Sequence, residues 1–183
     1  LRDRHVKVEG TEVRFRFKGK SGKTWDLGLR HRRVARIVRQ SQELPGQHLF
    51  QYLDDTGAQR EVTSGDVNAY LREITGEGIT AKDFRTWTGT VLAALALAEY
   101  EAVDSAAAAK RNVREAIEQV AARLGNTPTI CRKCYVHPTV IDSYLDADLK
   151  LEICEEIAEE LDEGGLRPEE VRVLDFLEAR LAS

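Results

Sequence analysis

The chain opens on alternation. In HVKVEGTEVRFRFKGKSGKTWDLGL, Val13, Phe15 and Phe17 fall on one side, and Arg14, Arg16 and Lys18 on the other. A period of two belongs to a strand with one face buried. Gly10 and Ser21-Gly22 punctuate the stretch, so residues 1–29 predict a three-strand antiparallel meander with a cationic polar face. Lys20 and Lys23 lie at the tip of its second hairpin. After Leu29 the period becomes helical: Val34, Ile37 and Val38 recur until ELPG stops the run. LFQYL is of undetermined type. Thr63 or Ser64 caps a helix bearing Val67, Tyr70, Leu71 and Ile74, and Thr80 caps one through AKDFRTWTGTVLAALALAEYEA. Ser105 to Leu124 predicts another helix, ended by Gly125. Thr127-Pro128 reads as a cap followed by proline at the first helical position, which puts Tyr135 about two turns into a new helix. Helices over Asp148 to Asp162 and Pro168 to Leu181, joined by GGLRP, complete the set.

The predicted fold class is α+β, mostly α. A small antiparallel N-terminal meander (1–29) precedes a helical body (30–145) and acidic C-terminal helices (146–183), all within one domain. There is no βαβ alternation and no Gly-rich phosphate loop, which argues against a nucleotide-binding α/β fold. VLAALALAEY is the most apolar stretch; it is too short to span a bilayer and predicts a buried helix instead. The first residue is Leu1 rather than Met, so the sequence is expected to be part of a longer one.

Charge changes the picture. The net charge of −4 hides a polarity: residues 1–40 carry 13 Lys/Arg against 4 Asp/Glu, and residues 146–183 carry 4 against 13. Basic residues set on a strand pattern point to a polyanion partner, with a solvated surface as the alternative. Three cysteines, Cys131, Cys134 and Cys154, do not make a secreted disulfide framework and suggest a reducing cytoplasm. CRKC is a lone C-x-x-C with no further ligands at zinc spacing and no thioredoxin-like context, so neither a metal nor a redox role is expected.

The chemistry centres on LGNTPTICRKCYVHP. Covalent cleavage of a phosphodiester needs a nucleophile, cations on the phosphoryl oxygens and an acid for the leaving alkoxide. A phenol is a weak nucleophile while protonated, and nearby cations favour the phenolate and the transition state together. Tyr135 has Arg132, Lys133 and His137 beside it, and Asn126 at the preceding turn offers an amide N–H. Arg132, one turn behind, has the spacing to face the same way. Arg85, near the start of its helix with Phe84, Trp87 and Val91 as expected core neighbours, presents a fork suited to phosphate. Each has a plainer alternative: a packed tyrosine ring, a surface ion pair for Arg85, a solvated turn lysine for Lys20.

Taken in order, LRDRHV, FRFKGKSGK, LPGQHLFQYLD, KDFRTWTGT and LGNTPTICRKCY resemble the catalytic domain of the type IB DNA topoisomerases, in the compact form of bacteria and poxviruses. The resemblance runs from Leu1 to about Tyr144. It implies that Tyr135 takes the 3′ phosphate of one strand and that Lys20 protonates the leaving 5′ oxygen. It further implies that Arg85 clamps the transition state and that Asn126, where many members have histidine, donates a neutral hydrogen bond. It implies religation by the reverse reaction, relaxation of supercoiled duplex DNA without ATP, metal or other cofactor, and a monomeric cytoplasmic enzyme acting at the nucleoid. Lys23, Arg14, Arg16, Arg132, Lys133 and Thr127 are the expected DNA contacts, mainly to phosphates, together with the Arg30 to Arg39 face. The family's second catalytic arginine belongs to a motif preceding LRDRHV, so residues 1–183 alone are expected to relax DNA poorly. The related tyrosine recombinases share the late tyrosine pattern, but the histidine they place just before the arginine is absent from Lys82-Asp83-Phe84-Arg85. A site-specific recombinase and a noncatalytic basic DNA-binding module stand as the other readings.

Overall fold

A computed structural model describes residues 1–19, 22–76, 78–100, 105–151 and 165–182. The chain forms two compact units, Leu1–Ile79 and Thr80–Ser183.

The first unit is built on the predicted meander. Strands β1 (Val6–Glu9), β2 (Glu12–Lys18) and β3 (Thr24–Arg30) pair antiparallel in that order. The register sets Val8 opposite Val13, Phe15 opposite Leu27 and Phe17 opposite Trp25. Gly10 turns the first hairpin with a φ of 57°, a left-handed conformation that costs glycine little. Helix α1 (Arg32–Glu43) starts at His31, whose Nδ1 accepts the Val34 N–H at 3.2 Å. Its Ala35 and Val38 close over Val6, Val13 and Leu49 to make a small apolar core. Ile37, grouped with Val34 and Val38 by spacing, points outward and is 46% exposed. LFQYL resolves into strand β4 (Gln51–Leu53), paired antiparallel with β5 (Gln59–Glu61). Helix α2 (Ser64–Thr75) begins at Thr63, which exchanges hydrogen bonds with Asp66, and stops at left-handed Gly76.

The second unit is helical: α3 (Ala81–Ala98), α4 (Ala106–Leu124), α5 (Pro128–Cys134), α6 (Pro138–Leu145) and α7 (Pro168–Leu181). Its core joins Val91, Ala94 and Leu97 of α3 with Val113, Ile117 and Val120 of α4, Cys131, Val140, and Val173, Phe176 and Leu177 of α7. Alanines along α3 allow close helix approach, as the apolar run predicts. The predicted ends of α4 hold: Ser105 caps its start, and Gly125 ends it in a left-handed conformation. The predicted helix from Asp148 is corrected at its beginning. Residues 148–151 are not helical, because the Asp148 N–H instead closes a turn onto the Ser143 carbonyl and Arg180 of α7 pairs with the Asp148 carboxylate. The remainder of that prediction lies outside the described residues. Helix α7 matches its predicted span and packs an apolar face on α3, while Trp87 Nε1–H donates to Glu170 at 3.2 Å. The acidic C-terminal helix is therefore part of the core that holds α3.

Candidate active site

Helix α3 presents the site. Thr80 and Asp83 fix its first turn: the Asp83 carboxylate accepts the Thr80 N–H at 2.8 Å and the Thr80 hydroxyl at 2.7 Å, which holds the carboxyl below its usual range. Asp83 is thereby committed to the cap and does not anchor Arg85. Arg85 donates instead to the Leu124 carbonyl at the end of α4, at 2.8 Å. Its guanidinium carbon also lies 5.1 Å from the centre of the Tyr135 ring. Two candidate residues fifty positions apart in the chain are thus in contact. Phe84 departs from expectation: it is 56% exposed rather than in the core, because the buried face of α3 passes through Trp87 and Val91.

Tyr135 is not two turns inside a helix. Helix α5 ends at Cys134, and Tyr135 is its first non-helical residue, with φ −132° and its N–H bonded to the Cys131 carbonyl at 2.9 Å. The physical reason lies downstream. Pro138 occupies the first turn of α6, and a residue before proline is driven to extended backbone, as His137 is at ψ 128°. The chain must leave the helix between Cys134 and His137, and Tyr135 sits on that break.

A strip of small residues on α3 docks this break. The Thr90 hydroxyl accepts the His137 N–H at 3.0 Å and donates to the Thr86 carbonyl at 2.8 Å. The Thr86 hydroxyl reaches the Cys134 carbonyl at 3.4 Å. Between them, a Cβ on Gly89 would overlap the carbonyl oxygen of Tyr135. Sequence reasoning missed Gly89, Thr86 and Thr90. The available signal was a glycine in the middle of a helix, which costs helix stability unless another backbone approaches there.

Asn126 follows the left-handed Gly125. Its N–H bonds the Ala121 carbonyl at 2.9 Å while Gly125 bonds Ala122, the paired closure of a Schellman turn. That turn carries the Asn126 side chain inward. Its Nδ2 is buried and has no hydrogen-bond partner among the described residues, as does His137 Nδ1. Thr127 caps α5 by accepting the Ile130 N–H, and Pro128 takes the first helical position as predicted. Cys131 is buried, and burial raises its thiol above the ordinary range; it packs as a small apolar residue. Among the described residues no cluster of His, Cys, Asp or Glu could hold a metal. Nor is any helix long and apolar enough to cross a membrane.

Arg132 and Lys133 are exposed on the last turn of α5. Arg132 lines a groove with Lys110, Arg111 and Arg114 of α4.

The other candidates lie in the first unit. Lys20 falls outside the described residues. Among the described neighbours, the Gly19 N–H bonds the Lys23 carbonyl at 2.8 Å, and a Cβ on Gly19 would meet Trp25 Nε1 at 2.7 Å. Lys23 sits over the Trp25 ring, 4.9 Å from its centre. Arg14 makes a two-point pair with Asp26 across the sheet, at 2.8 and 3.0 Å. Arg14 and Arg16 line a groove with Arg4, Lys7, Glu9 and Glu12.

The profile of the family described as "Eukaryotic DNA topoisomerase I, catalytic core" matches residues 1–162. The chain is also similar to the DNA topoisomerase 1B of Acanthamoeba polyphaga mimivirus, 29% identical over 151 residues. That alignment takes in 79% of this chain and 45% of the viral protein, so the chain spans about half the length of the curated relative it matches. With nearly nine-tenths of its length inside the family profile, the chain belongs to the type IB DNA topoisomerases and corresponds to their catalytic core.

Proposed function

We propose that the protein carrying this chain relaxes supercoiled duplex DNA by cutting and resealing one strand through Tyr135, without ATP or metal. The contact between the Arg85 guanidinium and the Tyr135 ring is the observation that supports this reading most directly. In the proposed reaction the Tyr135 oxygen attacks the phosphorus as its phenol gives up a proton to solvent water. The bond to the 5′ oxygen breaks, and a 3′-phosphotyrosyl link remains. Arg85 and Asn126 donate to the non-bridging oxygens, where charge develops in the transition state. Arg85 supplies positive charge and a fork, and Asn126 a neutral bond. Lys20, at the hairpin tip, gives the departing 5′ oxygen its proton. Religation runs the same steps backwards, with the bond energy kept in the phosphotyrosine, which is why no ATP is consumed.

The two units have separate tasks in this account. The cationic sheet and the Arg30 to Arg39 face hold phosphates and bring Lys20 to the strand, while the helical unit supplies the nucleophile. Binding of this kind weakens steeply with salt. The test is relaxation of a plasmid with no special sequence, by the protein carrying this chain, in EDTA and without ATP. Relaxation supports the topoisomerase reading. Cutting confined to one particular sequence favours a recombinase, and salt-sensitive binding without any cutting favours a binding module.

A further inference from the structure

We infer that α4 and α5 form a second DNA-backbone contact outside the cleavage centre, made by Lys110, Arg111 and Arg114 together with Arg132. The inference rests on the DNA reading above. The four cations converge on one groove whose floor includes the buried Val113 and Ile117. None of them makes an ion pair or side-chain hydrogen bond among the described residues.

That lack of pairing is informative, because partners were available. Glu115 stands four residues after Arg111, and Glu118 four after Arg114, the spacing at which helix surfaces pair charges. Glu115 accepts from the Tyr100 hydroxyl instead, and Arg114 turns into the groove. Arginine ahead of glutamate is also the weaker order for such pairs, so little holds these side chains away from a ligand. Lys110 and Arg114 are meanwhile like charges at i and i+4, an arrangement that costs an isolated helix stability. A polyanion laid along the groove would turn that repulsion into attraction.

The chemistry of the groove selects its occupant. A nucleic-acid backbone alternates anionic phosphates with apolar sugar edges. Four cations on the rim suit the phosphates, and an apolar floor suits the sugars. The location agrees. Arg132 stands on the last turn of α5, and Tyr135 is the residue that ends that helix, so the groove and the proposed nucleophile share one short element.

The test is a salt titration of binding to a labelled duplex by the protein carrying this chain, wild type against the triple variant Lys110→Gln, Arg111→Gln, Arg114→Gln. Each lost phosphate contact lowers the slope of log K against log salt by about 0.9, so the triple should lose about 2 to 3 in slope. Arg114→Gln alone should lose about 1, which keeps the test valid if the triple variant is poorly folded. Arg111→Lys with Arg114→Lys should keep the wild-type slope, since point charges suffice for counterion release. Unchanged slopes in both Gln variants, with wild type still forming a covalent adduct, would overturn the groove contact and leave the topoisomerase reading standing. Wild type that neither binds with salt dependence nor forms an adduct would remove both.

Discussion

Arg85 serves two structural roles with one guanidinium: it closes the end of α4 through the Leu124 carbonyl and covers the face of Tyr135. In the proposed reaction Arg85 also holds the transferring phosphate, so its replacement by alanine should slow single-turnover cleavage about 10²- to 10³-fold. Arg85→Lys should recover only part of that loss, because an ammonium lacks the planar fork. Full recovery in a quenched-cleavage assay would show that charge alone matters there. Gly89 has a different role. Gly89→Ala forces the Tyr135 carbonyl away from α3, an overpacking of about 1–3 kcal/mol. The expected result is a lower melting temperature together with slower cleavage; a variant as stable and as fast as wild type would contradict the docking described for Tyr135.

The structure brings Arg85 against the Tyr135 ring, and Arg85, Tyr135 and Asn126 were marked beforehand as candidates by residue type and setting, with their roles implied by the family resemblance. The clamp of Thr86, Gly89 and Thr90 was not, because hydroxyls and glycine inside a helix pattern look like ordinary filler until another backbone is seen against them.

Among the elements, those with caps were the readable ones. Thr80, Ser105, Gly125 and Thr127-Pro128 each mark an end through a local hydrogen bond or a restricted φ. Strands β4 and β5 were hidden because each has three residues, too few to display a period. The placement of Tyr135 required weighing Pro138 against the helical pattern before it. The β4–β5 turn is organised by Asp54, which accepts from the Thr56 hydroxyl at 2.6 Å, from Arg60 Nε at 2.9 Å and from the Ala58 N–H at 2.9 Å. These bonds lower its carboxyl to about 2, the Thr56 hydroxyl contributing most and Arg60 next. A carboxyl depressed on folding stabilises above its unfolded value, near about 3.9, and that contribution is lost as pH falls through the folded one. The hairpin amides should accordingly show an NMR acid transition between about pH 4 and 2. Asp54→Asn should abolish it; persistence of the transition would assign it to another group. For α7, Leu177→Ala opens the core against α3 and should cost about 2–5 kcal/mol in denaturant unfolding. A near-neutral result would mean that α7 does not support the site helix.

For the whole molecule, the charge polarity has gained a structural sense. The basic end is a sheet with its cations on the outer face, partly neutralised by Asp26, and α7 of the acidic end is built into the helical core. Basic residues on a strand pattern suggested a polyanion, and the ordered motifs resemble a family that acts on DNA. What composition could not reveal was how the acidic C-terminal helix is used, because its function in the fold is carried by Val173, Phe176 and Leu177, with Glu170 accepting from Trp87.

The central claim is that Tyr135 becomes covalently joined to DNA. The most direct measurement is to quench a reaction of plasmid and protein with SDS, digest the trapped complex, and locate the nucleotide-bearing peptide by mass spectrometry. The account predicts a 3′-phosphate on Tyr135, a free 5′ hydroxyl on the cut strand, and no adduct from Tyr135→Phe. An adduct on another residue, or undiminished adduct in the Phe variant, would contradict it.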